Sequence, residues 1–228
     1  ATGLRDGLKE TATTWGEARD LEVQLELLLA GAATLPAPLA ERAGRAVGES
    51  LRAKERVALD RAASVLSSPR HVELLVALVD AAVAPRLTER ANAPIAEVVP
   101  DLLAHTLRRA RRATQSLQLD GRPGDWHRAR VLAKRARYAA EMVTPVLPAA
   151  RKPATHLARL TDLLGRVQDG VVGRSLLGEI AQLSAGRTAA ALEVQAGRHE
   201  VAQLDARRAV LDEWPLIAPH LRRAPLVR

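Results

Sequence analysis

Apolar residues recur at intervals of three and four along nearly the whole chain, the spacing that places them on one face of an α-helix. Leu4, Leu8, Ala12 and Trp15 open this pattern. No segment between turn signals alternates apolar and polar residues as a half-buried strand would. Phe is absent and Tyr occurs once, so Ala, Leu and Val must build the core, a composition typical of packed helices. The sequence therefore predicts an all-α fold.

Proline, glycine and aspartate mark the expected helix boundaries. Gly16 and Gly165 are each predicted to end a helix, and Asp20 and Asp169, four positions later, to cap the next one. The expected helices cover 4–15, 20–30, 38–66, 72–83, 101–117, 125–143, 153–165, 169–183 and 186–214.

The two glycine–aspartate junctions belong to a longer internal repeat. WGEARDLEV (15–23) and LGRVQDGVV (164–172) superimpose at an offset of 149 residues. Similar helices flank both copies, which predicts two pseudo-symmetric bundles of about four helices each, over 1–90 and 94–228. The counterpart of helix 125–143 would fall before residue 1. We therefore expect the first bundle to lack its N-terminal basic helix, which would leave apolar side chains partly uncovered at Leu4, Leu8, Trp15, Leu21 and Leu25.

Positive charge is concentrated in one segment. The chain has 34 Lys and Arg against 26 Asp and Glu, a net charge of +8. Between His105 and Arg137 there are ten Lys and Arg and two Asp, so this window alone carries +8 and the remainder sums to zero. A basic segment on a neutral body is typical of a surface that binds a polyanion. The alternative is a solvated charged face.

Helix 125–143 carries a continuous row of polar, mainly cationic side chains beside its apolar arc. The row comprises His127, Arg130, Lys134, Arg137, Tyr138 and Glu141, whereas Arg128 and Arg135 point towards solvent. It extends about 21 Å at 1.5 Å per residue, which suits an extended polymer. The preceding helix presents a similar set, and antiparallel packing of the two helices could join both sets in one concave surface. That set comprises His105, Arg108, Arg109, Arg111 and Arg112.

These segments resemble the CHAD domain, the conserved-histidine α-helical domain. WHRARVLAKRARYAAEM is similar to its signature helix, LLAHTLRRARRATQSL to its preceding Arg-rich helix, and GRVQDGVV to its Gly–x–x–x–Asp junction. In the first half, LRDGLKETATTWGEARDLEVQLELL resembles the first-repeat junction. The resemblance implies one domain of two four-helix bundles that binds inorganic polyphosphate, often at polyphosphate granules. By position it implies binding residues at His127, Arg130, Lys134, Arg135, Arg137 and Tyr138.

Further candidate contacts lie outside the basic segment, with a solvated face as the alternative. They are Arg5, Lys9, Arg19, Arg52, Arg56, Arg151 and Lys152. Arg151 and Lys152 could instead cap a helix C-terminus.

Enzymatic motifs are missing from the sequence. It contains no Gly-x4-Gly-Lys loop, no Gly-x-Ser-x-Gly elbow, no His-Glu-x-x-His and no cysteine. We therefore expect a binding protein without catalytic residues, metal or cofactor. Two other functions remain open: non-specific nucleic-acid binding, and a scaffold that docks an acidic protein. Four aromatic residues leave little with which to stack bases.

The sequence also gives expectations about location. No uncharged apolar run reaches 18 residues, and ATGLRDGLKE lacks the apolar stretch of a signal peptide. We expect no membrane association and a cytoplasmic location, at polyphosphate granules.

Overall fold

A computed structural model describes residues 2–222 of the chain, and within them it contains seven α-helices, three short 3-10 turns and no strand. The predicted all-α fold is confirmed. The helices are α1 (Thr2–Ala33), α2 (Ala37–Leu66), α3 (Pro69–Val83), α4 (Ile95–Gln115), α5 (Pro123–Val143), α6 (Arg151–Gln182) and α7 (Gly186–Ile217).

The predicted helix ends at Gly16 and Gly165 are wrong. α1 runs through Gly16 and α6 runs through Gly165, so each replaces two predicted helices. A glycine inside a helix costs only about 1 kcal/mol relative to alanine, and the packing of the apolar residues on both sides outweighs that cost. Asp20 and Asp169 consequently lie inside helices and are not N-caps.

Several helices begin earlier than predicted, and α4 differs most. α4 starts at Ile95, with Pro100 inside it, whereas the sequence placed its start at Asp101. α5 starts at Pro123 after Arg122, so Asp125 lies in its first turn and is not its cap. Proline is tolerated at a first helical position because its missing N–H has no intrahelical partner there.

Contacts within the chain group its residues into two compact units. Among the described residues, the first contains 2–87 together with 173–197, and the second contains 88–172 together with 198–222. The predicted division at 90–94 resembles the first of these boundaries. It differs elsewhere because α6 and α7 are each 32 residues long and contribute to both units.

The core of the second unit is built largely from leucine and alanine. Leu107, Trp126, Leu160 and Val210 are buried in it. α5 contributes four alanines that are fully buried, at positions 129, 133, 136 and 140. Small side chains on this face let the neighbouring helices approach α5 closely, so the polar residues beside the alanines lie next to those helices.

The first unit has its own core, which includes Leu28, Val47, Leu51, Leu177 and Leu192. Gln195 Nε2 donates a hydrogen bond of 2.7 Å to the Leu28 carbonyl oxygen within it.

The apolar face at the start of α1 is partly uncovered, as predicted. Trp15 and Leu8 are each 46% exposed, and Leu4, Leu21 and Leu25 are half-buried. No single helix among the described residues is long and apolar enough to cross a membrane. α2 and α3 meet the length and composition criteria only as a pair that is bent by 59°.

Candidate anion-binding site

α5 carries the predicted site, and its apolar arc lies where the sequence placed it. Trp126 and the four alanines are buried, while Leu132 and Val143 are half-buried against the same core. The side chains on the two flanks of this buried stripe therefore border different helices. One flank lies beside α6, and the other lies beside α4.

Three side chains on the first flank, one histidine and two arginines, are hydrogen-bonded to α6. His127 Nδ1 donates to Gln168 Oε1 at 3.2 Å. Arg130 Nη1 donates to the Thr161 carbonyl oxygen at 3.4 Å, and Arg137 Nη1 donates to Thr161 Oγ1 at 3.2 Å. These contacts restrict the rotamers of the three side chains, so their remaining donors are held in place. We call His127, Arg130, Lys134 and Arg137 the α6-side row.

Carboxylates reach one end of this row. Arg137 Nε donates to Glu141 Oε1 at 2.7 Å, and Asp162 Oδ1 lies 3.9 Å from Arg137 Nη1. The hydrogen bond to Glu141 raises the pKa of Arg137 above its ordinary value. Among residues 2–222, no carboxylate lies within ion-pair distance of His127, Arg130 or Lys134. Arg130 and Lys134 therefore contribute positive charge that no acidic group among the described residues offsets.

Lys134 lies beside an aromatic ring. Its Nζ is 6.0 Å from the centroid of the Tyr138 ring, near the outer limit for a cation–π contact. Lys134 is half-buried and Tyr138 is exposed. Tyr138 thus stands at the edge of the row, where its hydroxyl is available to a ligand.

The second flank of α5 forms a separate cationic surface with α4. Arg109, Arg112 and Arg128 line a cavity of about 400 Å³ together with Asp125, and none of the α6-side row lines it. The single concave surface that the sequence suggested is therefore two surfaces. The reason is that the buried stripe of α5 separates its two cationic flanks.

The other predicted residues of these two helices are dispersed. His105, Arg108 and Arg135 are exposed. Arg111 is half-buried, and its Nη1 donates to Gln115 Oε1 at 3.2 Å.

The further candidate contacts are exposed, and two of them have acidic partners. Arg19 donates to Glu22 at 2.6 Å, which raises the pKa of Arg19, and Arg5 lies 3.9 Å from Asp6. Such partners reduce the charge available to an anion. The exposed remainder are Lys9, Arg52, Arg56, Arg151 and Lys152.

The alternative role of Arg151 and Lys152 is wrong. They begin α6 and so stand at a helix N-terminus, where cations do not complement the helix dipole.

The α6 residues that position the row were not predicted from the sequence. Thr161, Gly165 and Gln168 are spaced four and three apart, which places them on one helix face. An ideal Cβ at Gly165 would lie 3.5 Å from Arg130 Nη1, so the glycine leaves room for this guanidinium. Periodicity could have revealed the face, but the predicted helix end at Gly165 cut it in two.

The arrangement offers hydrogen-bond donors and positive charge. Arginine forks match phosphate oxygens and lysine adds a point charge. Within residues 2–222, no three His, Asp or Glu side chains are grouped as metal ligands would be. The chemistry available in the row is the binding of an anion with several oxygens.

The family model and the solved structures were both compared with the chain, and the family model identifies its family. The family model of the CHAD domain matches residues 1–178. The structure of PptA from Streptomyces chartreusis superimposes with a TM-score of 0.80 at 23% identity, over 94% of this chain and 79% of that one, which shows similarity of fold. The CHAD domain from the plant Ricinus communis gives 0.69 at 29% identity, over 93% and 72%. No curated protein matches the sequence.

Proposed function

Because the chain belongs to the CHAD domain family, we propose that it binds inorganic polyphosphate through the α6-side row. The observation that carries the proposal is the attachment of His127, Arg130 and Arg137 to one face of α6, in a row where Arg130 and Lys134 have no acidic partner among the described residues.

The spacing of the row suits a linear polyanion. Residues 127 and 137 are about 15 Å apart along the helix at 1.5 Å per residue, and the cations between them follow at intervals of three and four. A single phosphate would contact one or two residues of the row, whereas an extended chain of phosphates can contact all four. Contacts with Thr161 and Gln168 fix the side chains before binding, which lowers the entropy lost on association.

We propose binding without cleavage, and with no metal or cofactor. Cleavage of phosphoanhydrides, by transfer in kinases and by hydrolysis in ATPases, uses Mg²⁺ held by carboxylate ligands. The carboxylates next to the row, Glu141 and Asp162, are instead placed beside Arg137. In this proposal the domain works in the cytoplasm, where it targets the protein that contains it to polyphosphate granules.

Competition between polyanions tests the proposal. The full chain is titrated with long-chain polyphosphate and with duplex DNA at matched phosphate concentration and at two salt concentrations. Polyphosphate should bind more tightly at both salts and displace DNA at the lower phosphate concentration. Equal affinity for the two, with equal salt dependence, would indicate non-specific counterion release and contradict the proposal. If the chain binds an acidic protein more tightly than it binds either polyphosphate or DNA, the scaffold function is favoured.

A further inference from the structure

The cavity between α4 and α5 is a second cluster of arginines that the α6-side row does not include. We call it the α4–α5 cavity. Its volume is about 400 Å³, within the range of small-ligand pockets. Its lining residues are Arg109, Arg112, Ala113, Ser116, Asp125, Arg128 and Leu132.

The charge around this cavity is unbalanced. Three guanidinium groups face one carboxylate, so three positive charges less one negative charge leave +2. Among the described residues, no side chain lies within hydrogen-bond or ion-pair distance of Arg109, Arg112 or Arg128. Like charges that border one cavity repel each other, and a bound anion would offset that repulsion. The guanidinium N–H donors of the three arginines are therefore available to such an anion.

The small volume and the single carboxylate favour a compact anion. Leu132 and Ala113 contribute apolar lining, and the Ser116 hydroxyl adds one neutral hydrogen-bonding group. Asp125 would repel a polyanion that continued past it. A phosphate monoester carries about −1.5 to −2 at pH 7, so one or two phosphate groups suffice to neutralise the lining.

We propose that the α4–α5 cavity is a separate site for a compact ligand with one or two phosphate groups. The ligand chemistry has two sources, a free diphosphate or the terminal phosphates of a polyphosphate chain, and the second source rests on the function proposed above. The cavity shares no residue with the α6-side row, and Arg128 lies outside the motif positions on α5. The two sites can therefore be tested separately.

Calorimetric titration of the full chain with pyrophosphate at low salt tests the site. We expect one pyrophosphate per chain. The double variant Arg112→Gln/Arg128→Gln should weaken this binding roughly tenfold or more, because it removes two charge-assisted contacts. Asp125→Asn should tighten it, because the repelling carboxylate is gone.

Two controls separate the site from general electrostatics and from the row. Arg90→Gln/Arg208→Gln makes the same change in net charge at exposed positions outside the cavity, and Lys134→Gln alters the row. Both should leave pyrophosphate affinity within about twofold of the wild type. Absence of pyrophosphate binding by the wild type, or equal losses in the double variant and its charge control, would overturn the inference. Long-chain polyphosphate binding, measured on the same samples, reports on the row independently.

The same titrations distinguish the two sources of the ligand. If saturating pyrophosphate weakens the binding of long-chain polyphosphate to the wild type but not to Arg112→Gln/Arg128→Gln, chain ends occupy the cavity. If long-chain binding is unchanged, the occupant is a free compact phosphate compound.

Discussion

The guanidinium carbon of Arg207 lies 5.0 Å from the centroid of the Trp126 ring, in a cation–π contact inside the second unit. Nη1 of the same guanidinium donates to the carbonyl oxygens of Leu119 and Gly121, at 2.8 and 3.1 Å. Burial lowers the pKa of Arg207 below its ordinary value. One buried cation on α7 therefore holds both the α4–α5 turn and the first turn of α5, where the candidate site begins.

Replacing Arg207 should destabilise the second unit. Arg207→Gln removes the charge and leaves the Leu119 and Gly121 carbonyl oxygens without their donor, at a cost of about 2 kcal/mol. Urea unfolding measures this loss. Arg208→Gln is the matched control. Arg208 is exposed, and among the described residues its ion-pair partner is Asp205 alone, so the change should alter stability by less than about 1 kcal/mol. Equal effects of the two variants would contradict this role of Arg207.

A charge placed in the apolar arc of α5 should act on stability before it acts on binding. Ala133 is 0% exposed, so Ala133→Glu forces an unpaired carboxylate into the core and should cost about 3 kcal/mol or more. Met142→Glu on the same helix is the control, since Met142 is 76% exposed and should tolerate the change. Thermal melts of both proteins check the difference. A normal melt for Ala133→Glu would mean that the arc is not packed as described.

The size of the side chain at position 165, on the α6 face that contacts the row, should determine whether polyphosphate binding is retained. An added Cβ at Gly165 would make an ordinary contact with Arg130 at 3.5 Å, so Gly165→Ala should keep polyphosphate affinity and stabilise the helix by up to about 1 kcal/mol. Gly165→Leu should displace the Arg130 guanidinium and weaken binding. Titration of both variants with polyphosphate checks this. Unchanged affinity in the leucine variant would show that the position of Arg130 is unimportant.

Acid should destabilise the second unit through a histidine pair. The His156 and His220 rings stack at 3.9 Å. Burial, followed by repulsion from His220, Lys152 and Arg159, lowers the pKa of His156 below 6.5. The unfolded chain then binds the proton more readily than the folded chain does. Stability should be greatest above about pH 6.5 and fall as the pH is lowered through that value.

Denaturation at several pH values checks the histidine prediction. His156→Gln should flatten the loss of stability between about pH 7.5 and 5.5. Part of the slope should remain, because burial also lowers the pKa of His199. An identical pH dependence in the variant and the wild type would rule out His156 as its source.

Periodicity and proline positions were enough to predict the fold class and the helices α2, α3 and α5. They failed at Gly16 and Gly165. A glycine lowers the stability of a helix only slightly, and the packing of the long helix outweighs that loss. The α5 row was predictable because its residues share one helix. Its partners Thr161 and Gln168 were not, because nothing in the spacing of a single helix says which neighbour packs against it.

Salt-dependent binding by a triple variant tests the central claim that the α6-side row binds polyphosphate. Arg130→Gln/Lys134→Gln/Arg137→Gln should raise the Kd by about tenfold or more, at least 1.4 kcal/mol. Each lost phosphate contact should reduce the slope of log K against log salt by about 0.7. Arg45→Gln/Arg90→Gln/Arg208→Gln removes the same charge elsewhere and should keep both the slope and most of the affinity. Melting curves of both triple variants verify folding. If the row variant binds polyphosphate with the same slope and affinity as its charge control, the row is a solvated face and the central claim is wrong.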